Sequence, residues 1–468
     1  MRNSVRIRRR AAQNAAFGAA TVRAVPATVR AVPATARILA LVVATTLALT
    51  ASAQSVLRGR VTSDAGKPLA GASIFISNTS KGTITDEKGD FTLSGVPAGR
   101  YVLVVSSVGY QNDLETIDSR FPRNDFEIVL RTKAKELGEV RVRAFDADGY
   151  KRWGELFKEN FIGTSDFARN CQILNPESVK IHFARKSRVL EAYSDGPILV
   201  QNRSLGYQVQ VTLDDFRYDF ANQSVAFSFF PLFTEMQGSP SKKARWERNR
   251  ATAYYGSALH FFRALYQDRV EQEGFMLHTE GRKDSLAMMR VKSWLRQSLA
   301  RARDSAGQDG ARLMPEALLD RGMLAQCDNT LDLIRQQPLL MYPQETHAEQ
   351  AIVVARDSND VVLDWDLSLR VLYLKARTPD RYLSDFIIDP NNPESGRKVQ
   401  VSRSSLTGMA TDLELLRGFP MEVFPNGSYM NTDLVFQGYW TWSQKIGNLL
   451  PYDYEPPKAA VPPGPPYQ

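Results

Sequence analysis

The sequence predicts a multidomain protein, in which an amino-terminal all-β sandwich precedes an α+β domain with a helical insertion. Three observations lead to this fold class. Short apolar runs alternate with turn signals from residue 55 to residue 132. Strand-like runs then flank a segment of helical spacing at about 242–321. The 468 residues also exceed one typical domain of about 100 to 200 residues.

Residues 1–53 carry the three parts of an export signal. An arginine-rich start precedes the apolar run ILALVVATTLALT at 38–50, and the small residues ASA at 51–53 provide a cleavage site before Gln54. The apolar run is shorter than the roughly 20 residues of a membrane-spanning helix. We therefore expect cleavage, no transmembrane span in the mature chain, and export to the periplasm or outer membrane.

The first domain is predicted at 55–132 from apolar residues that recur at every second position. Its predicted core consists of Leu57, Val61, Ala72, Ile74, Ile76, Phe91, Leu93, Phe126, Ile128 and Leu130. The run YVLVVS at 101–106 is apolar on both faces, which predicts a central strand. Asp86 and Gly89 in DEKG occupy the first and last positions of a type I turn, so turn chemistry explains them without a calcium site.

The segments GRVTSDAGKPLAGASIFI and KGTITDEKGDFTLSGVPAGRYVLVVSSVGY, within 59–110, resemble the carboxypeptidase-regulatory-like domain. This is a transthyretin-like sandwich of exported Bacteroidetes proteins, and the resemblance implies fold and compartment but no catalysis. Such modules commonly stand at the amino terminus of TonB-dependent outer-membrane receptors. No plug-like segment follows LRTKAKELGEVRV at 130–142, so we expect the sandwich to be attached to a different kind of domain.

The remaining chain is predicted to contain a linker at 133–149, an α+β domain at 150–454 and a disordered proline-rich tail at 455–468. The arrangement resembles Bacteroidetes proteins in which the regulatory-like sandwich precedes a domain of unknown function. The matching stretches include ENFIGTSDFARNCQILNP and GYWTWSQKIGNLLPYDYEP. This second resemblance implies no catalytic residues.

Charge argues against a nucleic-acid partner. The full chain has 59 basic and 51 acidic residues, but the leader holds eight arginines and no acid, so 51 basic residues remain against 51 acidic ones. Cys171 and Cys327 are the only cysteines, which excludes a disulfide-built scaffold. They could form one disulfide in an oxidising periplasm, or they could be two buried thiols far apart.

Motifs of the common hydrolases are missing from the sequence. None of the four histidines has Glu at the third following position, as a zinc carboxypeptidase would need; they are His182, His260, His278 and His347. The S-x-x-K pattern at Ser239 and at Ser395 lacks the companion motifs of Ser-Lys hydrolases. We therefore expect no enzymatic activity, no metal and no cofactor.

The first candidate binding cluster is SKKARWERNRATAYY at 241–255. It combines the cations Arg245, Arg248 and Arg250 with Trp246 and Tyr254. Charge and stacking could bind an anionic glycan or an acidic partner. Alternatively, the charges are solvated on a helix whose aromatic side chains belong to the core.

The second candidate cluster is FQGYWTW at 436–442, predicted as a strand with Trp440 and Trp442 on one face. Such a row could be a sugar platform or part of the core. The predicted function is therefore that of a non-catalytic exported interaction protein for an envelope protein or a glycan. The alternative is a hydrolase of unrecognised type in the second domain, which would require acid, base and nucleophile to converge in one cleft.

Overall fold

A computed structural model describes the chain in twelve ranges, which are 55–121, 125–132, 145–221, 224–282, 285–310, 318–335, 341–346, 352–356, 361–365, 368–382, 409–430 and 434–457. The leader, most of the predicted linker and the tail beyond 457 lie outside these ranges, as do His347 and Ser395. What the sequence predicts for them remains a prediction.

The amino-terminal region is a sandwich of two sheets around one core. Its strands are β1 (Ser55–Ser63), β2 (Ser73–Ile76), β3 (Gly82–Ile84), β4 (Asp90–Val96), β5 (Arg100–Ser106), β6 (Asp113–Asp118) and β7 (Phe126–Leu130). The sheet orders are β4-β1-β7 and β3-β2-β5-β6, so the doubly apolar strand β5 is internal, as predicted. All ten predicted core residues are buried in one cluster. Gly89 N–H donates to the Asp86 carbonyl at 3.0 Å, which confirms the predicted turn.

A six-stranded sheet follows the sandwich. It is preceded by helix α1 (Gly149–Phe161) and contains β8 (Cys171–Ile173), β9 (Val179–Ala184), β10 (Val189–Ser194), β11 (Ile198–Asn202), β12 (Tyr207–Asp219) and β13 (Ser224–Glu235). Tyr150, Trp153, Phe157 and Phe161 recur on one face of α1 and pack on the sheet. The path is β8-β11-β12-β10-β9, and β13 pairs with β12.

The predicted helical segment at about 242–321 consists of two helical stretches, at about 242–274 and 283–321, and a strand lies between them. Helices α2 (Pro240–Tyr254), α3 (Ala258–Tyr266) and α4 (Val270–Glu273) are separated by strand β14 (Phe275–Arg282) from α5 (Ser285–Gly310) and α6 (Arg321–Arg335). Phe275 and Leu277 are buried whereas Met276 and His278 are half-buried, which is the alternation of a strand. Helix α2 begins at Ser239, whose hydroxyl accepts the Lys242 N–H, so this S-x-x-K match is a helix cap.

Two further sheets share one core. They contain β15 (Met341–Thr346), β16 (Val353–Arg356), β17 (Val361–Leu363), β18 (Ser368–Tyr373), β19 (Met409–Leu415), β20 (Met421–Val423), β21 (Tyr429–Met430) and β22 (Leu434–Gly438). Their orders are β15-β14-β18-β19-β22 and β16-β17-β20-β21. The structure is thus mostly β, with an α+β region after the sandwich. Within the described ranges, no helix has the length and hydropathy needed to cross a bilayer.

The prediction of a single strand through FQGYWTW was wrong. Strand β22 ends at Gly438, which has a φ of +89°, and Tyr439–Ser443 form the short helix α7. Trp440 N–H then donates to the Thr411 hydroxyl at 3.1 Å. Because the chain turns at Gly438, Trp440 and Trp442 do not lie on one strand face.

The loop between β2 and β3 attaches the sandwich to the outer edge of β13. Thr79 and Leu232 form a parallel bridge. Asn78 N–H donates to the Pro231 carbonyl at 2.8 Å, and the Thr79 carbonyl accepts from Phe233 N–H at 3.0 Å. This contact covers the edge of β13 only near its carboxyl end.

Candidate functional site

A cleft of about 760 Å³ lies between strands β13 and β22. Five consecutive residues of β13, 225–229, and three consecutive residues of β22, 434–436, line it. Successive side chains of a strand point to opposite faces of its sheet, so a cleft over a sheet face would contact every second residue. Lining by consecutive residues indicates that the cleft borders the edges of both strands.

Both strand edges are open along the cleft in the described part of the chain. Among the strands of the described ranges β13 pairs with β12 alone, its bridge to the sandwich loop lies at Leu232 beyond 225–229, and β22 is the last strand of its sheet. Peptide groups of an antiparallel strand alternate between its two sides, and those of Pro231 and Phe233 point outward to the sandwich loop. By this alternation the peptide groups of Val225, Phe227 and Phe229 also point outward, away from β12. None of these three has a backbone partner beyond β12 among the described residues.

The walls of the cleft are mainly apolar, with Lys445 as the charged side chain among the lining residues. Only 8% of Lys445 is exposed. Its Nζ lies 3.4 Å from the carbonyl oxygen of Glu159, and no carboxylate of the described residues forms an ion pair with it. Burial lowers the pKa of Lys445 to about 8, against a smaller opposing effect of the Glu159 charge. The cleft therefore contains a buried cation that forms no ion pair with a carboxylate of the described residues.

Three further polar side chains that line the cleft are Gln444, Asn448 and Ser257. The side-chain amide oxygen of Asn448 accepts a hydrogen bond from the Ser165 hydroxyl. The Ser257 hydroxyl caps α3 by accepting His260 N–H at 3.1 Å. These groups provide polar contacts within an otherwise apolar cleft.

The predicted cluster on α2 is divided by the structure. Arg245 and Arg248 are exposed. Trp246 is buried and its indole N–H donates to the Arg203 carbonyl at 3.0 Å, while Tyr254 is buried in the core of the six-stranded sheet. The surface-binding hypothesis for Arg245 and Arg248 remains a prediction, whereas the two aromatic side chains pack inside the protein.

Arg250 attaches α2 to the loop before β12. Its Nε donates to the Leu205 carbonyl at 2.8 Å and its Nη2 to the Gly206 carbonyl at 3.3 Å. The guanidinium lies 3.9 Å from the ring centre of Tyr207, and it also pairs with Glu235. These contacts make Arg250 part of the packing of α2.

The two tryptophans of the second cluster are buried. The Trp440 indole N–H donates to the Gly256 carbonyl at 2.8 Å, and that of Trp442 donates to the Thr164 hydroxyl at 2.9 Å. Trp440 lines the cleft and Trp442 does not. Of the seven predicted binding residues, Trp440 is thus the one that the structure brings to the cleft.

Cys171 and Cys327 are free thiols, so the disulfide alternative is not what the structure contains. Cys171 packs against the core of the six-stranded sheet, and Cys327 lies in a separate cluster with α5 and α6. Burial raises the pKa of Cys171 to about 12 and also raises that of Cys327. Neither thiol is in an environment that favours the reactive thiolate.

His260 is buried with both ring nitrogens engaged. Its Nδ1 accepts from Gly256 N–H at 3.1 Å, which assigns the proton to Nε2, 3.3 Å from Glu273 Oε2. Burial lowers the pKa of His260, and the hydrogen bond from His260 lowers the pKa of Glu273. With no free nitrogen, the imidazole is a structural group. Across the described ranges, no three His, Cys, Asp or Glu side chains are grouped as metal ligands.

Comparison with known proteins supports the resemblance of the amino-terminal sandwich. Residues 57–142 match the CarboxypepD_reg-like domain family, so the chain carries such a domain. A TonB-dependent receptor of Formosa agariphila is 33% identical over 91 residues, which are 19% of this chain and 8% of the receptor. This chain therefore corresponds to a small part of that protein.

Similarity to solved structures is local. A type II cohesin–X-dockerin complex from Acetivibrio cellulolyticus is 21% identical over 17% of this chain and 58% of that chain, with a TM-score of 0.15. The 3-chlorocatechol 1,2-dioxygenase of Rhodococcus opacus 1CP is 13% identical over 18% of this chain and 60% of that chain, also with a TM-score of 0.15.

Proposed function

We propose that this protein is a non-catalytic, exported binding protein of the bacterial envelope, and that the cleft between β13 and β22 is its ligand site. The observation that carries the proposal is a cleft of about 760 Å³ with apolar walls and one buried cation that has no ion pair among the described residues. Ligand sites combine apolar walls with a few polar groups that orient the ligand. An anionic or hydrogen-bonding group of a ligand would satisfy Lys445.

The envelope location is inferred from two features. One is the predicted export leader at 1–53. The other is the CarboxypepD_reg-like domain, together with the similarity of 91 residues of this chain to a TonB-dependent receptor. A binding role at the envelope accounts for both features, although the receptor's own activity is not transferred.

The non-catalytic role is inferred from the positions of the reactive side chains. Ser257 and Lys445 both line the cleft and would be the natural pair for a Ser-Lys hydrolase. However, the Ser257 hydroxyl caps α3 and the Lys445 ammonium is bonded to the Glu159 carbonyl, with no hydrogen bond between the pair. A nucleophile and its base need to be within hydrogen-bond reach. The cleft therefore supports binding better than hydrolysis.

Site-specific photocrosslinking in the producing cells tests the proposal. A photoreactive amino acid at Ala226, which lines the cleft and is exposed, should give a defined adduct in the envelope fraction. The same group at Ser224, which is exposed on the same strand but does not line the cleft, is the matched control. Identical patterns at both positions, or no adduct at Ala226, would contradict the proposal.

A catalytic assay separates the alternative. The purified protein is assayed with ester and peptide substrates. If it hydrolysed them, and if Ser257→Ala and Lys445→Met each abolished the reaction, the protein would be better explained as a hydrolase than as a binding protein. We expect no such turnover.

A further inference from the structure

We propose that the cleft binds an extended polypeptide segment by β-strand addition, with the backbone of the segment pairing to the open edge of β13 and an acidic group meeting Lys445. This inference rests on the proposed function, because it names the class of ligand for the same cleft. Strand addition provides affinity through main-chain hydrogen bonds and specificity through alternate side chains.

The open edge has the length of a short strand. Residues 225–229 present three outward-pointing residues, Val225, Phe227 and Phe229, along about 16 Å at about 3.3 Å per residue. Each offers one N–H donor and one C=O acceptor to the cleft. Backbone groups in apolar surroundings require partners, and an added strand supplies donors and acceptors at the matching spacing.

The same edge already pairs with an extended segment further along. Thr79 bridges to Leu232 in the parallel sense, and hydrogen bonds join Asn78 to Pro231 and Thr79 to Phe233. The edge is therefore straight and accessible enough for pairing at 231–233. The open residues 225–229 directly precede this paired part, so a bound segment would continue an interface that the fold already uses.

The shape of the site favours a single strand over a second copy of the protein. The open edge is recessed, since Ala253 and Ser257 at the α2–α3 junction and 434–436 of β22 also line the cleft. A whole sheet from another molecule would need an exposed edge. A volume of about 760 Å³ is instead that of a site for a short ligand.

Charge identifies one further property of the segment. Lys445 is 8% exposed and has no carboxylate partner among the described residues. A carboxylate from the bound segment would complete this ion pair in a place sheltered from water. We therefore expect an Asp, a Glu or the carboxyl terminus near one end of the segment, with apolar side chains at alternate positions along the rest. An uncharged glycan would leave Lys445 without a counter-ion.

Selection from a displayed library of random heptapeptides tests the inference on the purified full chain. The matched counter-selection is the Ala226→Trp variant, whose indole would occupy the cleft beside the open edge. Peptides bound by the wild type and not by Ala226→Trp should alternate apolar and polar residues and include an acid. If no peptide is enriched over the counter-selection, the inference is overturned.

The best peptide is then resynthesised and measured by fluorescence polarisation. N-methylation of one alternate set of its residues removes the donors on one strand edge and should weaken binding at least tenfold. Val225→Pro removes an outward N–H of β13 while the hydrogen bonds to β12 are retained, so it should cause a similar loss. Ser224→Thr, at an exposed position of the same strand that does not line the cleft, should bind as the wild type does. Binding that is indifferent to N-methylation and to Val225→Pro would overturn strand addition.

The acidic contact has its own test. Lys445→Met in the protein and Glu→Gln in the peptide should each weaken binding, and combining them should cause little further loss. If the two changes together lowered the binding free energy by the sum of their single effects, the ion pair would be rejected. The two proposals also fail separately. If Ala226 forms crosslinks in cells but the library selection enriches no peptide, the binding cleft is retained and strand addition is rejected. If neither crosslinks nor enriched peptides are found, both proposals are rejected.

Discussion

The side-chain amide of Asn426 donates a hydrogen bond of 2.6 Å to the hydroxyl oxygen of Tyr101. Tyr101 lies on β5 of the sandwich, and Asn426 lies in the turn between β20 and β21. Both side chains are buried, and burial raises the pKa of Tyr101. Beside them, Arg100 Nη1 donates to Glu422 Oε2 at 2.6 Å. The sandwich is thus joined to the following region by buried polar contacts as well as by the loop on β13.

Tyr101→Phe should lower the free energy of unfolding by about 1–3 kcal/mol, because it leaves the buried Asn426 amide without its acceptor. Urea unfolding at neutral pH measures the change. Tyr110→Phe is the control, since Tyr110 is half-buried in the same sandwich and should change stability by less than about 0.5 kcal/mol. Equal effects of the two substitutions would show that the Asn426 contact contributes nothing specific.

The sandwich expressed alone as residues 55–132 should melt cooperatively. All fifteen buried residues of its core cluster lie between Leu57 and Leu130, and among the described residues Tyr452 is the only partly buried one from outside that packs on it. Differential scanning calorimetry of the isolated segment tests this. An isolated segment without a heat-absorption peak would mean that the contacts to β13 and Asn426 are required for folding.

The arginines of α2 should fall into two groups according to how much their substitution changes the free energy of unfolding. Arg250→Ser removes hydrogen bonds from a charged group to the Leu205 and Gly206 carbonyls, and should cost about 1.5–3 kcal/mol in unfolding free energy. Arg245→Ser and Arg248→Ser, at exposed positions, should each change it by less than about 0.5 kcal/mol.

The exposed pair also permits a clean test of surface binding. If Arg245 and Arg248 bind an anionic envelope component, replacing both should weaken association with envelope fractions mainly at low salt, because salt screens exposed charges. If the stable double variant associates with envelope fractions at low salt as the wild type does, these arginines are solvated surface charges without a binding role.

Lys445 should make stability depend on pH in a defined direction. Its pKa is about 8 in the folded protein against 10.5 in the reference state, so the unfolded chain binds more protons between these values. The contribution of Lys445 to the free energy of unfolding therefore rises as pH increases from about 8 to about 10. Below pH 8, burial of the charged ammonium lowers the free energy of unfolding by its full amount of about 3 kcal/mol.

Lys445→Met should accordingly stabilise the protein by about 1–3 kcal/mol at pH 7 and by much less at pH 10. Urea unfolding of both proteins at the two pH values measures the difference, and the comparison cancels the titration of all other groups. A difference that is the same at both pH values would refute the proposed cost of burying the ammonium.

The sandwich could be predicted from sequence because residues close together in the chain identify its strands and turns. Leu57 and Val61, or Ile74 and Ile76, identify the buried face of a strand from their own spacing, and Asp86 with Gly89 identifies a turn within four residues. The family resemblance over the same segment adds to that pattern. No long-range contact is needed to assign these elements.

The end of β22 could not be predicted in this way. Phe436, Gly438, Trp440 and Trp442 alternate as in a strand, but the chain turns at Gly438, where a β-carbon would lie 2.8 Å from the Ala410 carbonyl oxygen. The contact with β19 at Ala410 is a tertiary interaction, and local spacing does not contain it. The buried tryptophans follow from the same turn.

The cleft escaped prediction for a related reason. The run VAFSFF indicates a strand, but whether its outer side is paired depends on loop 78–79, far away in the chain. Lys445 stands between Gln444 and Ile446 like an ordinary surface residue, and its burial comes from contacts with Glu159 and Gly163 on and after α1. Only the assembled fold brings these groups to one place.

The bridge between Thr79 and Leu232 limits how long a paired ligand can be. A segment that adds to β13 meets this bridge just beyond Phe229, because the next outward positions, Pro231 and Phe233, are already bonded to the loop. Any chain that continues in that direction must leave the sheet or displace the loop. The sandwich thereby selects for short pairing segments or for segments that bend there.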